Sequence, residues 1–536
     1  MHVQHSLVMS LLLAGKALAS GYANNQESAL QDGSEVAALF PEPDIDLLSP
    51  AFLSPETIPT GFANNSAPPT TTANIVSFLK SLAKRNSWIN YQEPDFRSEE
   101  GRLLPYVYLS KDRNDYSEDL SGLKRSQKLR IWLQGGVHGD EPAGSQALLA
   151  LVGKFNANKT WASSVLDKAD ILVLPAYNPD GIDYFQRPFA TGFDGNRDHA
   201  LLQRQQTRDI KSLLVDFDPH VALDAHEFTA GIRFGGQYIK SHDVQFSAVK
   251  NPNIRSEIRQ LGEDLFTSSV FSAVRAAGFR TGPYFTGSGS TTITLTEPGS
   301  ISQAGHNSWG LGQRLTFLSE TRGIRLGDQH FKRRVAAGLL TAETLIQVAV
   351  DNKNYVYKTI ESARKTFIAA DNDIIVVDKA RVVDTTMEFI DITNGTLVDV
   401  AVKYNNNTPP NTIISRRRPE AYIFSGAWGN IAEHLRVLGV QVDVLKKDFS
   451  GTVDTLIVSN VTLATSRHEG IVQATVRTEP STREVLIPAG GFRVSTRQQN
   501  AAFAFVSLEP ENIASLATYN KIPLNAGDEY PIFRVY

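Results

Sequence analysis

Apolar positions between about residue 74 and about residue 350 alternate between the spacing of an amphipathic helix and that of a strand. The segment NIVSFLKSLAKR, which begins at Asn74, has helical spacing, whereas YVYLS and LRIWLQGG have the pattern of strands. Further along, RQQTRDIKSLL has helical spacing and lies between the strand patterns ADILVL and PHVALDAHEFT. Such alternation is typical of an α/β domain, which we place at residues 73–350.

The pattern changes near residue 350, where short strand-like runs follow one another. DIIVV, TMEFIDI, LVDVAVKY, VDTLIV and IVQATV are such runs, and one strand–helix–strand pattern lies at AYIFSG-AWGNIAEHLRVLG-VQVDVL. We predict a smaller β-rich α+β accessory domain over residues 351–536. It has either a role of its own or the role of a buttress over an exposed edge of the first domain's sheet, and the buttress is favoured.

The first 72 residues consist of two parts that differ in composition. The run Leu7–Ala19 is apolar, too short to span a bilayer and followed by small residues, so residues 1–20 are expected to be a signal peptide and the protein to be secreted; a frayed internal segment is the alternative. Residues 21–72 are rich in Pro, Ser and Asn and are expected to be a linker or pro-segment. Five N-x-Ser/Thr sequons fit a glycoprotein, at Asn64, Asn158, Asn394, Asn406 and Asn460.

Composition limits the partners and the metal ligands. The 53 Lys and Arg residues nearly balance the 57 Asp and Glu residues, giving a net charge of -4, so nucleic acid is not expected as a partner. No stretch after the amino-terminal run is long enough to span a bilayer, and we expect no membrane partner. Because the 536 residues include no Cys, a metal must be held by His, Asp or Glu.

Metal-capable side chains lie at the ends of two predicted strands. His138 and Glu141, in QGGVHGDEPAG, follow the strand that ends at Leu133, and His226 ends the strand VALDAH. Open α/β sheets bind ligands at the carboxyl ends of their strands. Two His and one Glu would make the open three-ligand set of a catalytic zinc site. The alternative is a loop histidine beside a glutamate that caps the following helix.

A hydrolytic zinc site also needs a general base. Glu320, in the apolar strand LTFLSETRG, is the best candidate because an inward carboxylate there requires a function or a partner. Two alternatives remain open: Glu320 pairs with Arg322, or Glu297 in TLTEPG is the base.

The segment NPDGIDYFQRPFATGFDGNRDH supplies candidate cations. Arg187 and Arg197 lie in it, and the guanidinium of Arg197 beside the amide of Asn196 is suited to binding a carboxylate. For either arginine the alternative is a surface ion pair.

Five ordered motifs, HGDE, NPDG, DGNRDH, DAHEF and SETRG, resemble those of the M14 family of zinc carboxypeptidases over roughly residues 75 to 350. The tail motifs RPEAYIF and LIPAGGFRV are similar to those of bacterial- or fungal-type members with a carboxyl-terminal accessory domain. The resemblance implies an α/β fold with a mixed, mostly parallel eight-stranded sheet flanked by helices. It also implies hydrolysis of the carboxyl-terminal bond of a peptide or protein substrate.

The resemblance implies roles for the matched residues. His138, Glu141 and His226 correspond to the ligands of one Zn²⁺ per chain, and Glu320 to the general base and acid. Asp194 corresponds to an acidic residue that orients the zinc-binding His138; its alternative is an Asx turn before Gly195.

The remaining matches concern the substrate. Arg187 corresponds to the arginine that polarises the scissile carbonyl, and Asn196 and Arg197 to the pair that binds the substrate's terminal carboxylate. The family's substrate-closing tyrosine has no counterpart between Tyr284 and Glu320, so Tyr284 substitutes for it or the closure is absent. Three further histidines, to which we assign no ligand role, are His199, His242 and His306.

The favoured function is a secreted zinc metallocarboxypeptidase. Two alternatives are a related amidase or deacylase acting on cell-wall peptides or acylated amino acids, and a non-catalytic binding protein on the same fold. The expected specificity region, GSGSTTITLTEPGSISQAGHNSWG, contains few acidic residues, which disfavours Lys or Arg as the substrate's last residue.

Overall fold

The computed structural model describes residues 27–111, 126–289 and 292–536; the expected signal peptide lies outside the described residues. Its first strands are β1 (Ile89–Gln92), β2 (Tyr106–Leu109), β3 (Leu129–Gly135), β4 (Ala169–Leu174), β5 (Val221–Thr229), β6 (Tyr238–Lys240), β7 (Val244–Ala248), β8 (Thr281–Gly282), β9 (Thr286–Ser288), β10 (Thr294–Thr296) and β11 (Leu315–Ile324). Eight of them form the central sheet, in the order β1-β2-β4-β3-β5-β11-β7-β8. The predicted mixed eight-stranded sheet is confirmed.

The middle of this sheet is parallel. β4, β3, β5 and β11 run in one direction. β2 is antiparallel to β4 at one side of this group, and β7 is antiparallel to β11 at the other. Glu320 of β11 is in register with His226 of β5, and Gly135 at the end of β3 is in register with Ala225. The carboxyl ends of β3, β5 and β11 therefore meet at one edge of the sheet.

Helices cover both faces of the sheet. The α-helices up to residue 369 in the described chain are α1 (Ser34–Ala37), α2 (Pro50–Leu53), α3 (Thr72–Arg85), α4 (Pro142–Ala157), α5 (Lys159–Leu166), α6 (Pro179–Tyr184), α7 (Gln205–Phe217), α8 (Ser256–Leu261), α9 (Ser268–Ala276), α10 (Gly305–Gly310), α11 (Phe331–Asp351) and α12 (Lys353–Ala369). Leu133 and Leu223 pack with α4 and α11 on one face, and Trp132 and Ala222 pack with α7 on the other. Burial on both faces explains the continuous apolar runs of the parallel strands.

The described part of the segment predicted as a linker or pro-segment is packed on the central sheet. Leu47, Ala51 and Phe62 are buried in the same core cluster as α4 and α11. Asp32 forms a bidentate ion pair with Arg322 of β11. These residues order themselves on a surface that the rest of the chain provides, which their composition could not supply alone.

A second sheet joins the two predicted domains. The hairpin of β12 (Ile374–Asp391) and β13 (Thr396–Arg416) follows α12, and its strands pair with β6 and β10 to give the order β6-β12-β13-β10-β9. Phe234, Phe285 and Phe389 form an apolar cluster under this sheet. Residues after the expected boundary at 350/351 thus complete a sheet to which residues 238–296 contribute three strands.

The last part of the chain forms a third sheet, which confirms the predicted β-rich region. Its strands are β14 (Ala421–Phe424), β15 (Asp443–Val444), β16 (Phe449–His468), β17 (Ile471–Ile487), β18 (Phe492–Ser495) and β19 (Phe533–Val535), in the order β15-β18-β14-β19-β16-β17. Two helices accompany it, α13 (Gly429–Val437) and α14 (Ala501–Leu508). Across the described ranges, no helix combines the length and the apolar character that crossing a bilayer requires.

Candidate active site

Three buried side chains converge where β3 and β5 end. His138 Nδ1 lies 2.7 Å from Glu141 Oε1, and His226 Nδ1 lies 2.9 Å from Glu141 Oε2 and 3.2 Å from His138 Nδ1. One donor atom from each residue lies within 4.8 Å of the other two, and no other such cluster of His, Asp and Glu occurs in the described residues. The structure thus brings together the three residues that the sequence predicts as ligands.

Local backbone geometry fixes the loop between β3 and α4. A Cβ at Gly139 would lie 1.9 Å from the backbone of Gly181 in α6, so only glycine permits this approach. Glu141 immediately precedes Pro142, the first residue of α4. Its side chain nevertheless makes no capping hydrogen bond to the helix. Its carboxylate instead accepts from the backbone N–H of Glu227 at 3.0 Å and contacts both histidines. The alternative of a helix-capping glutamate is wrong for this geometry.

Carboxylates hold the outer nitrogens of both imidazoles. His138 Nε2 lies 2.9 Å from Asp194 Oδ1, and His226 Nε2 lies 3.2 Å from Asp224 Oδ2. Asp194 Oδ1 also accepts from the N–H of Asn196 at 2.8 Å, so the Asx turn and the contact with His138 coexist. Sequence reasoning missed Asp224, although its spacing of two residues from His226 places both on one face of β5.

This donor set fits Zn²⁺. Two imidazole nitrogens that face each other at 3.2 Å and share one carboxylate form a site for a cation between them. A carboxylate on the far nitrogen of each histidine directs the unprotonated nitrogen inward, which is the usual arrangement around zinc-binding histidines. Two nitrogen donors and one carboxylate match the open ligand set of catalytic zinc sites.

Glu320 lies beside this cluster and has no ion-pair partner among the described residues. It is 8% exposed, and its neighbour in the sheet is His226. Arg322, the partner considered from sequence, pairs instead with Asp32 at 2.6 Å. Burial raises the pKa of Glu320 to about 7 from an ordinary value of 4.5.

Glu297, the other base considered, is fully engaged. Its carboxylate lies 2.8 Å from Lys250 Nζ and accepts from Asn407 N–H and the Thr408 hydroxyl, both at 2.7 Å. The carboxylate of Glu297 therefore has a structural role in holding the hairpin residues Asn407 and Thr408. The geometry therefore favours Glu320 as the base.

The two candidate arginines, Arg187 and Arg197, have different surroundings. Arg187 bridges two carboxylates, with Nη1 at 3.1 Å from Glu141 Oε1 and Nη2 at 2.9 Å from Asp194 Oδ2. Arg187 thus forms an ion pair, as the alternative interpretation held, but its partners are carboxylates of the candidate site. Burial would raise the pKa of Asp194, but His138 and Arg187 hold it well below its usual value.

Asn196 and Arg197 follow Asp194 in a short 3₁₀ turn, Gly195–Arg197. The Asn196 amide oxygen accepts from Gly305 N–H at 2.8 Å, and its Nδ2 lies 3.4 Å from His226 Nε2. Arg197 donates to the Asn196 carbonyl at 2.9 Å and has no ion-pair partner among the carboxylates that the structure describes. Both residues line the cavity over the ligand cluster, so this guanidinium is available to an anion there.

The cavity has a volume of about 500 Å³. The site residues on its wall include His138, Glu141, Arg187, Asn196, Arg197 and Glu320. Tyr284 lines it too, and burial raises the pKa of its hydroxyl well above the usual value. His306 lines the cavity, whereas His199 and His242 do not, and none of the three belongs to the ligand cluster.

Sequence reasoning missed a buried lysine on the cavity wall. Lys240 Nζ donates to Gln245 Oε1 at 2.7 Å and to the Phe285 carbonyl at 2.6 Å, and it lies 5.0 Å from the centre of the Tyr284 ring. Burial lowers the pKa of Lys240 to about 7. Lys240 is a single lysine at the end of the short strand β6, so the neighbouring sequence does not indicate that it is buried in the cavity wall.

The chain is similar to several known proteins. The family model described as zinc carboxypeptidase matches residues 75–232. "Carboxypeptidase 2" of Trichophyton tonsurans is 46% identical over 524 residues, which are 97% of this chain and 96% of that protein. "Probable carboxypeptidase 2" of Arthroderma benhamiae is 47% identical over 498 residues, which are 92% of this chain and 94% of that protein. A solved metallo-carboxypeptidase from Burkholderia cenocepacia is 15% identical with a TM-score of 0.39, covering 53% of this chain and 70% of that one.

Proposed function

The chain belongs to the M14 family of zinc carboxypeptidases, and we propose that it hydrolyses the last peptide bond of peptides or proteins with the residues of this cavity. The observation that supports this most is the convergence of His138, Glu141 and His226 beside the carboxylate of Glu320, which has no ion-pair partner in the described parts of the chain. A metal site next to a buried base is the arrangement that hydrolysis of an amide by water requires.

The ligand cluster would hold one Zn²⁺ per chain. Bound there, the ion would act as a Lewis acid toward the scissile carbonyl and the attacking water. Asp194 and Asp224 contact the Nε2 atoms of the two imidazoles, so the Nδ1 atoms, which face Glu141, would be the ones to hold the ion.

Glu320 would move the proton. Its carboxylate would accept a proton from the attacking water and would then give that proton to the leaving amine. A pKa of about 7 suits both steps, because the group can exchange a proton near neutral pH without a large cost. The absence of an ion-pair partner among the described residues leaves the carboxylate free to do so.

Two arginines would interact with negative charge on the substrate, one at the carbonyl oxygen and one at the terminal carboxylate. Arg187 lies against Glu141, where it can stabilise the charge that develops on the carbonyl oxygen. Arg197, which no described carboxylate neutralises, would bind the terminal carboxylate of the substrate together with Asn196. Binding the terminus in this way would place only the last peptide bond beside the metal.

A matched pair of substrates tests this function. We expect hydrolysis of a peptide with a free terminal carboxylate and at least a hundredfold lower kcat/KM for the same peptide amidated at its carboxyl terminus. Equal cleavage of both would support the amidase or deacylase alternative. No turnover of either by zinc-loaded protein would support the non-catalytic alternative.

We also propose that the protein is secreted and glycosylated. Four of the five sequons have exposed asparagines, namely Asn64, Asn158, Asn394 and Asn460, while Asn406 is half-buried and accepts a hydrogen bond from Arg381. Expression in a eukaryotic host, sequencing of the mature amino terminus and treatment with an endoglycosidase test both points. Retention of residues 1–20, or no change in mass, would count against them.

A further inference from the structure

The long hairpin of the third sheet reaches the loop that precedes the proposed carboxylate-binding pair. β16 and β17 are joined at Glu469 and Gly470, whose φ angles are 47° and 77°. Two successive left-handed residues are typical of a tight hairpin turn. This turn contacts residues 193–203, in the loop that contains Asn196 and Arg197.

Glu469 binds this loop directly. Its carboxylate Oε2 accepts from the backbone N–H of Asp194 at 2.9 Å, and its carbonyl accepts from Gln203 Nε2 at 3.1 Å. A Cβ placed on Gly470 would lie 3.5 Å from the ring of Phe193, so the aromatic ring packs against the turn. The turn therefore contacts both ends of the loop.

Other residues from the end of the chain support the same loop. Ile471 packs against a buried cluster that contains Ala200, Leu201 and Tyr519. The ammonium of Lys521 donates to the Leu201 carbonyl.

The loop held in this way contains Asp194, which contacts a proposed zinc ligand, and the pair proposed to bind the substrate's terminal carboxylate, Asn196 and Arg197. The Asp194 side chain contacts His138 and Arg187, while its backbone N–H is bound by Glu469. Arg197 follows three residues later. A hydrogen bond to the backbone of Asp194 thus fixes the start of the 3₁₀ turn whose last residue is Arg197.

We infer that the tip of the β16–β17 hairpin is part of the active site and that Glu469 is a positioning residue for the loop Phe193–Arg197. This inference rests on the proposed carboxypeptidase function. It gives the carboxyl-terminal sheet a role in substrate binding, through a contact between residues 275 positions apart.

Two substitutions of Glu469 test the inference. Glu469→Ala removes the acceptor, and we expect KM for a peptide with a free terminus to rise about tenfold while kcat changes less than threefold, because Arg197 loses its fixed position. Glu469→Gln retains an oxygen acceptor and should restore KM to within threefold of the original protein. Glu479→Ala, at an exposed residue of the same hairpin, is the matched control and should change neither constant.

Hydrogen exchange of residues 193–204 provides a readout that needs no activity. We expect faster exchange in Glu469→Ala and unchanged exchange in Glu469→Gln and Glu479→Ala, with zinc content and Tm unchanged in all three. Unchanged KM and exchange in Glu469→Ala would overturn the inference. So would a lowered Tm with unchanged KM, since the contact would then serve stability alone. An original protein without turnover would instead refute the proposed function, and the exchange experiment would still test the contact.

Discussion

Arg322 on the central sheet is neutralised by Asp32 from the amino-terminal segment. Two hydrogen bonds join them, from Nη1 to Oδ2 at 2.6 Å and from Nη2 to Oδ1 at 2.8 Å, and both side chains are buried. Because Arg322 lies two residues after Glu320, this pairing removes the nearest guanidinium in sequence from the proposed base. The segment that brings Asp32 to the sheet thereby contributes to the electrostatics of the cavity.

The ion pair predicts a role for Asp32 in stability. Asp32→Asn removes one partner of a buried pair and leaves an uncompensated charge, so we expect a loss of roughly 3 kcal/mol in the free energy of unfolding. Denaturant unfolding measures this, and Asp46→Asn, at an exposed position of the same segment, should have little effect. Equal stability of the two variants would contradict a structural role for the segment.

Glu320 is predicted to be essential for turnover but not for metal binding. Glu320→Gln keeps the shape and removes the proton acceptor, so we expect kcat to fall at least a hundredfold with zinc content unchanged. Glu297→Gln is the control for the other candidate base and should keep kcat within tenfold. Full activity of a zinc-loaded Glu320→Gln variant would remove this residue from the mechanism.

Activity is predicted to decline on the acid side of neutrality. Burial raises the pKa of Glu320 to about 7, and only the ionised form accepts a proton, so kcat/KM should fall about tenfold per pH unit below that value. Circular dichroism over the same range separates this effect from acid unfolding. A plateau that extends below pH 5 would show that another group, or an unperturbed carboxylate, controls the rate.

Removal of the metal is predicted to abolish hydrolysis reversibly. A chelator should remove one zinc ion per chain and the activity with it, and added Zn²⁺ should restore both. His226→Ala should fail to retain zinc because one of three donors is lost. His330→Asn should retain it, since His330 lies outside the cluster and has a φ of 57° that asparagine tolerates.

The cavity wall predicts a preference for neutral terminal residues. Of the four carboxylates that line it in the described chain, Glu141 belongs to the ligand cluster, Glu227 pairs with Arg334 and Glu297 pairs with Lys250, which leaves Glu320. A basic side chain therefore has no free carboxylate away from the reacting bond. We expect kcat/KM for peptides ending in Leu or Phe to exceed that for Lys or Arg at least tenfold, and the reverse order would refute this account of the wall.

The apolar pattern of the sequence predicts an α/β domain with metal-capable side chains at one sheet edge, whereas the eight-stranded sheet and the zinc ligand set are what the resemblance to the M14 family implies. Burial on both faces leaves continuous apolar runs, and polar residues at the ends of such runs must lie at one edge of a parallel sheet. His138, Glu141 and His226 are all found in this way. Asp224 lies within a run and was overlooked, although its spacing from His226 shows that the two share a face.

Contacts between distant segments could not be found by the same reasoning. Asp32 meets Arg322 and Glu469 meets Asp194 across 290 and 275 positions, and nothing in the local pattern of either partner indicates the other. The Pro-rich composition around Asp32 predicts that the segment cannot fold alone, but it does not indicate that the segment packs on the sheet. Lys240 is likewise placed by the pairing of β6 with β12, which depends on a strand far along the chain.

The second sheet pairs strands that are synthesised far apart in time. All three metal donors have been synthesised once His226 leaves the ribosome, but β6, which bears Lys240, gains its partner β12 only after residue 391 has emerged, and β10 gains β13 later still. Non-local pairings of this kind form late. A nascent chain therefore contains its three proposed zinc donors well before the strands that complete the wall around them have been synthesised.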